Sequence, residues 1–426
     1  MELCHAVLNS PFPGPELDHW SLANGARCVM AEMPDAPLTC LDFWCRAGSV
    51  SEQDGEEGMA HFLEHMLFKG SRHLPPGAFD LAIEALGGSS NAATGFDDVH
   101  FHVLVPPERT RDALNHLLEL VLQPTLDPEG FSMERDVVLE EIAQYADQPS
   151  EQVLQQLLTR GCGSHPYGRP ILGQRASLKA MTPAAMDGFH RRRYLGSNCC
   201  IAVAGQSMNG LGEMLAESQL ADLPSGDIST KVVQPVQVQS GRHLLSLDRL
   251  ESARLLMLWS APAASDQAAV MGIDLATTLL GEGRRSRLVK RLREELQLVE
   301  SVTMDLTALE NGSLITLEVI CAPEALPAVE VEVNQILART TEHAASVAEL
   351  KRARQLVSNG LRYALESTGQ VAAMSAGQSL WNRQQELLRP LDHLDAWDSE
   401  RICSELCPAL QPEQACVLIA QPGETC

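Results

Sequence analysis

The segment His61-Phe62-Leu63-Glu64-His65 sets two imidazoles four residues apart with a carboxylate between them. In an α-helix, residues i and i+4 are about 40° apart and one turn along the axis, so both rings reach one ion from the same face. Glu64 is about 60° round from His61, close enough to address a water on that ion. Neutral imidazole nitrogen is a ready zinc ligand, and a catalytic zinc keeps three protein ligands with a fourth position open to water. The third ligand must then come from elsewhere in the chain. Glu129, Glu134, Glu140 and Glu141, on a later helical stretch, are the candidates. Glu134 and Glu141 are seven positions apart, about 20° of drift, and share a face, whereas Glu140 is rotated about 100° from Glu141. Val137, Val138 and Ile142 place the buried side of that helix near Glu134 and Glu141, where carboxylates without a cation or metal would be costly. His100 and His102 alternate on one strand face and imitate ligand spacing; a partly exposed strand accounts for them, and they are left without a role.

Alternating apolar residues predict strands at 26–33 and 39–47, followed by a helix over 59–69 that carries the pentad. A helix over 76–86 stops at Gly87-Gly88, a strand or hairpin covers 90–105, and helices cover 109–122, 128–145 and 150–160. Another short strand is expected at 199–204. Between about 223 and 240 the chain becomes rich in Pro, Gly, Ser, Gln and Val and loses helical period, which suits a linker. The second half reruns the first in element order: a strand pair over 243–260, helices over 267–280 and 285–295, strands over 299–307 and 313–321, and helices over 325–339 and 347–367. The expected fold is α+β, two similar sandwich halves of antiparallel-rich sheet packed with helices. The first is a metal-bearing domain over 1–230 and the second, over 231–426, lacks the metal residues.

With 426 residues and 45% hydrophobic content the chain can bury a core in each half. A net charge of −24, from 32 basic and 56 acidic residues, repels phosphate backbones and anionic lipid, so nucleic acid and membrane are not expected partners. There is no long apolar run and no basic region leading into an apolar stretch at the start, so a soluble, cytoplasmic protein is expected. Twelve scattered cysteines without a C-x-x-C pair read as reduced, small core residues rather than a disulfide framework.

The residues resemble the pitrilysin or insulinase family of zinc peptidases, which includes mitochondrial processing peptidase. The stretch 58–70 around His61-x-x-Glu64-His65 is similar to that family's inverted zinc signature, 134–141 to its third-ligand helix, and Tyr167-Gly-Arg-Pro-Ile-Leu-Gly173 to a further block. The stretch 88–94 resembles its active-site strand, and 280–283, 286–288 and 292–294 resemble its second domain, so the likeness spans nearly the whole chain. The resemblance implies one zinc per chain held by His61, His65 and Glu141, with Glu64 as general base for peptide hydrolysis and Glu134 orienting a ligand imidazole. It also implies that Asn91 and Ala92 belong to an edge strand to which an extended peptide substrate adds through its main chain. The alternative within the family is a non-catalytic binding or assembly subunit, but such chains usually lose a ligand or the base, and all five residues are present here.

One departure from the family pattern bears on assembly. Its second domain commonly carries an Arg followed seven residues later by a Tyr, both contacting substrate; Arg293 is present here, and position 300 is Glu. Exchange of a phenol for a carboxylate removes a donor and adds negative charge. The expectation is a closed dimer, either of two identical chains or a heterodimer in which a related metal-free subunit supplies the Arg and Tyr pair.

Overall fold

The computed structural model describes residues 14–226 and 233–423. Six strands form the first sheet: β1 (Glu16–Ser21), β2 (Arg27–Glu32), β3 (Thr39–Cys45), β4 (Ser89–Thr94), β5 (Val99–Val105) and β6 (Cys199–Gly205). Their spatial order is β1-β2-β6-β3-β5-β4, with β2 and β6 parallel and the other neighbours antiparallel. The helices of this half are α1 (Met59–Leu67), α2 (Ala78–Ala85), α3 (Thr110–Leu122), α4 (Pro128–Asp147), α5 (Pro149–Cys162), α6 (Arg175–Ala180), α7 (Pro183–Arg193) and α8 (Leu211–Ala216).

The second sheet has β7 (Gly241–Leu247), β8 (Ala253–Ala261), β9 (Ser301–Thr307), β10 (Ser313–Cys321) and β11 (Cys416–Pro422), in the order β7-β11-β8-β10-β9. Its helices include α9 (Gln267–Gly281), α10 (Leu326–Arg339), α11 (Val347–Ala364) and α12 (Thr368–Leu380). With β1 removed, the two orders are the same, and the one parallel neighbour pair falls in the same place, β2 with β6 and β7 with β11. The repeat expected from element order is therefore a repeat of topology. The boundary expected at 230/231 lies outside the described residues, as do Cys4 and Cys426.

Each sheet has a helix core on one face. In the first half Phe43, Phe101 and Val103 pack with Phe62, Leu63, Leu67, Leu114 and Leu118, and in the second half Met257, Leu317 and Val319 pack with Leu275, Val329 and Val333. The opposite faces are covered by exchange. Helix α12 of the second half lays Val371, Ala372, Ala376 and Leu380 on Val29, Ala31, Cys200 and Ala202 of the first sheet. Helix α5 of the first half lays Val153 and Leu157 on Leu256, Leu258 and Leu418 of the second. The approach is close: a Cβ on Gly161 of α5 would stand 2.6 Å from Leu258 and 3.2 Å from the Cys416 Cβ. Burying each large aliphatic side chain in these seams contributes about 1.5–3 kcal/mol, so the halves are held by core packing. Polar contacts reinforce this: the Tyr167 hydroxyl donates to Asp97 Oδ1 at 2.7 Å and accepts from the Asn311 amide at 2.9 Å, and Asp97 Oδ2 accepts from the Glu310 amide at 2.9 Å.

The sequence reading did not find β1, α6, α7, α8, α12 or β11. Helix α12, Thr-Gly-Gln-Val-Ala-Ala-Met-Ser-Ala-Gly-Gln-Ser-Leu, buries mostly small residues, so its apolar period is weak although Val371, Ala372, Ala376 and Leu380 are fully buried. The stretch expected as a basic α-helix over 285–295 is instead a short α-turn, Arg287–Val289, running into a π-helix, Lys290–Glu295. On α4 the expected buried side needs correction. Phe131, Glu134, Val138 and Leu139 are buried, but Val137 is half-exposed, because it lies about 60° from Glu134 on the outward side. The ten described cysteines are free, and nine of them are buried. No helix among the described residues is long and apolar enough to cross a membrane.

Candidate metal and catalytic site

Helix α1 buries Met59, Ala60, Phe62, Leu63, Met66 and Leu67 and leaves His61, Glu64 and His65 on its half-buried side. Its start is fixed by contacts remote in sequence. The buried Glu52 carboxylate accepts from the amides of Gly58 at 3.1 Å and Ala60 at 2.9 Å, satisfying two donors of the first turn. Gly58 has φ 95° and backs directly onto Gly173, whose own φ is 80°; a Cβ on Gly58 would lie 2.7 Å from the Leu172 carbonyl and one on Gly173 would lie 2.3 Å from the Glu57 carbonyl. The block 167–173 thus seats the first turn of α1 through Gly173 and joins the two halves through Tyr167.

Helix α4 packs beside α1 and brings two carboxylates to it. Glu141 Oε2 stands 3.7 Å from His61 Nε2 and 3.5 Å from His65 Nε2, and one ligating atom from each of the three residues lies within 4.8 Å of the others. Atoms bound at about 2.0–2.1 Å around a tetrahedral zinc lie about 3.4 Å apart, so this triangle is close to the size such an ion requires. Glu141 Oε2 is buried and has no hydrogen-bond partner among the described residues. Burial, with His65 alongside, lowers the His61 pKa to about 4, leaving its imidazole neutral and able to ligate. Two imidazoles and a carboxylate form a donor set used by catalytic zinc. The residues fit the ion.

Glu134, about two turns before Glu141 on α4, accepts from His65 Nδ1 at 2.9 Å and pairs with Lys69 at 2.7 Å. Burial works against its charge, yet these two contacts hold its carboxyl below the usual range. Burial also opposes the His65 proton, but Glu134, Glu141 and Glu64 raise the His65 pKa overall. A hydrogen bond at Nδ1 leaves Nε2 directed at Glu141, the usual way a neighbouring carboxylate fixes a ligand imidazole.

Glu64 is the carboxylate of α1 that does not join the triangle. Burial raises its pKa, and the Thr94 hydroxyl at the end of β4 donates to its Oε2. Among the described residues strand β4 pairs only with β5, so its outer edge is left unpaired by them. Asn91 is exposed on this strand with its Oδ1 accepting from the Ala92 amide at 2.9 Å, and Ala92 packs into the helix core. Arg293 is not brought to this cluster: its bonded partner is the adjacent Glu294, and Glu300 accepts from Ser252. Sequence reasoning missed Glu52, Lys69 and Thr94. Lys69 is four residues beyond His65 and could have been read as another member of that helix face, whereas Glu52 and Thr94 meet α1 only through the fold.

The chain is thus built of two topologically equal α+β halves, of which the first carries a His2Glu cluster that fits a metal ion, with Glu64 and the edge of β4 beside it. The family profile described as insulinase, peptidase family M16, matches residues 27–175, and that of the peptidase M16 inactive domain matches 180–357. The chain belongs to this pitrilysin/insulinase family of peptidases. It is 28% identical over 351 residues to an uncharacterised zinc protease of Mycobacterium leprae, covering 82% of this chain and 79% of that one. It is 23% identical over 417 residues to the uncharacterised zinc protease YmxG of Bacillus subtilis, covering 96% and 99%. Among solved structures, a protease from Helicobacter pylori has a TM-score of 0.88 at 22% identity, covering 96% of this chain and all of that one. The periplasmic protease PqqL of Escherichia coli has a TM-score of 0.79 at 18% identity, with 97% of this chain matching 48% of that one.

Proposed function

We propose that the chain is a zinc-dependent endopeptidase in which His61, His65 and Glu141 hold the ion and Glu64 is the general base. The observation that carries this is the convergence of two Nε2 atoms and an unpartnered, buried Oε2 within 3.5–3.7 Å, with Glu64 on the same helix left free of that triangle. Zinc bound there supplies Lewis acidity toward a water and a peptide carbonyl. Glu64 takes a proton from the attacking water and delivers it to the leaving amine nitrogen as the C–N bond breaks. Thr94 occupies one oxygen of Glu64, so the other remains for the proton. Glu134 keeps the His65 proton on Nδ1, and Lys69 balances the charge of Glu134.

The substrate is an extended or unfolded peptide segment that adds to the open edge of β4 at Asn91 and Ala92 by main-chain hydrogen bonds. The active form is a dimer. Arg293 makes its side-chain contacts with Glu294 and none with the cluster among the described residues, and PqqL, of which this chain matches about half, has the length of two such chains. A related metal-free subunit carrying an Arg and Tyr pair would complete the substrate contacts that Glu300 cannot make.

The test is hydrolysis of a quenched-fluorescent peptide library by the purified chain, before and after zinc removal, alongside Glu64→Gln. The expected result is zinc-dependent cleavage that falls by roughly 10²–10⁴ in Glu64→Gln while the zinc content is unchanged. Cleavage that survives both zinc removal and the substitution would sink the proposal. Bound zinc without cleavage would move the search to a partner chain, and hydrolysis restored by no related subunit would leave the non-catalytic reading standing.

A further inference from the structure

Two histidines outside the proposed catalytic cluster stand on the other face of the first sheet. On β5, Val99, Phe101, Val103 and Val105 enter the helix core, so His100 and His102 share the opposite face with Leu104 and with Trp44 of β3. The antiparallel register sets Asp42 of β3 directly across from His102, and opposed residues on one face have Cβ atoms about 5 Å apart. The Asp42 side chain is only 1% exposed, and its Oδ1 is 3.1 Å from His100 Nδ1. No Lys or Arg among the described residues pairs with it. One ligating atom from each of Asp42, His100 and His102 lies within 4.8 Å of the other two.

We propose that Asp42, His100 and His102 form a second metal site, one that takes zinc or a similar divalent transition ion. Buried Asp42 has His100 as its one charged side-chain partner among the described residues. A carboxylate so placed is stabilised further by coordinating a metal, and two imidazoles with one carboxylate suit zinc among the available ions. Two histidines separated by one residue on a strand present both rings to one side, and the neighbouring strand provides the third ligand across the register. The triangle must tighten toward the roughly 3.4 Å spacing of ligands about zinc. His102 can make that movement, since it is half-buried and carries no side-chain hydrogen bond among the described residues. Burial, with His100 nearby, lowers the His102 pKa, so its lone pair is available. Burial opposes the His100 proton, but Asp42 raises the His100 pKa overall, so metal uptake displaces a proton there. The ion would clamp β3 to β5 directly behind β4, where His102 is paired with Asn91 and His100 with Ala93. It would brace the strand edge assigned to substrate without touching the proposed catalytic ion.

The experiment measures zinc bound per chain after equilibrium dialysis of the metal-stripped full-length protein. Two zinc are expected in the unaltered chain, one in His102→Gln, one in His61→Gln and none in the double variant. A parallel measurement leaves the strand unaltered: in His61→Gln, zinc should protect the peptide containing His100 and His102 from diethylpyrocarbonate, read by mass spectrometry. A zinc content that is the same in the unaltered chain and in folded His102→Gln, or modification of both histidines at the same rate with and without zinc, would overturn the proposal. These readouts do not depend on peptidase activity, so failure of the catalytic reading would leave this one standing or falling by itself.

Discussion

The two halves place the same five strands in the same order and follow β3 and β8 with comparable helices, α1 and α9, yet they put opposite chemistry at that position. Helix α1 has nine residues and keeps a stripe of His61, Glu64 and His65 beside α4. Helix α9 has fifteen, contains no histidine, and buries Met271 to Ile273 and Leu275 to Gly281. Where α4 presents Glu134 and Glu141 to α1, α11 presents cations to α9. Arg352 donates to the carbonyls of Glu282 at 2.8 Å and Thr278 at 3.3 Å, closing the helix end, and Glu349 joins the N-terminal cap at Ser346 to Arg287 at 3.0 Å. Around α9 these charged groups finish helix ends; beside α1, Glu141 keeps a buried carboxylate oxygen with no hydrogen-bond partner among the described residues. The scaffold does not dictate chemistry, which lies in the side chains grafted on it.

Substitutions on the facing helices give the largest test of this contrast. Glu134→Gln should weaken zinc binding by about 10–100-fold, as loss of a ligand-orienting carboxylate does, and Arg352→Gln on the counterpart helix should leave both zinc affinity and kcat/KM within about twofold while lowering stability by about 1 kcal/mol. Competition with a chromophoric chelator and urea unfolding measure the two quantities. A loss of zinc affinity in Arg352→Gln would break the contrast.

A smaller effect is expected at the strand that touches the base. Thr94→Val should reduce kcat about 5–10-fold, equivalent to a hydrogen bond of roughly 1 kcal/mol, with KM little changed, and Thr94→Ser should recover most of it. An unchanged kcat in Thr94→Val would show that the hydroxyl does not position Glu64.

The smallest effect concerns pH. Burial works against ionisation of Glu349, but hydrogen bonds from Arg287 and Ser346 bring its carboxyl down to about 2 from a reference of 4.5. A depressed carboxylate stabilises the fold above its unfolded pKa, and that contribution is lost as pH falls from about 4.5 through about 2. The side chain is 31% exposed, so screening reduces the contribution to about 1 kcal/mol. Glu349→Gln should therefore lower the urea midpoint at pH 7 and approach the unaltered chain at pH 3. An equal gap at both pH values would mean that the loss is one of packing.

The candidate residues on α1 and α4 were legible because their pattern is local. His61 and His65 are one helical turn apart in any α-helix, and the seven-residue interval of Glu134 and Glu141 fixes a shared face before any tertiary contact forms. The long strands and most helices were legible for the same reason. Helix α12 was obscure because packing flat on a sheet selects alanine and serine, which erases the apolar period, and β1 because it is an edge strand with little burial. His100 and His102 were visible as a pair, but Asp42 could not be attached to them, since only strand register places it opposite His102.

By itself, then, the sequence determined the donor types, their helical spacing and the order of elements, all of which follow from backbone geometry over a few residues. Tertiary structure decided which carboxylate meets the imidazoles, with Glu141 at the Nε2 atoms and Glu134 at Nδ1. It decided that Thr94 holds Glu64, and that α5 and α12 cross to the other half's sheet. These contacts join residues from 30 to several hundred positions apart, and only the packing of whole sheets and helices brings such residues within hydrogen-bonding reach.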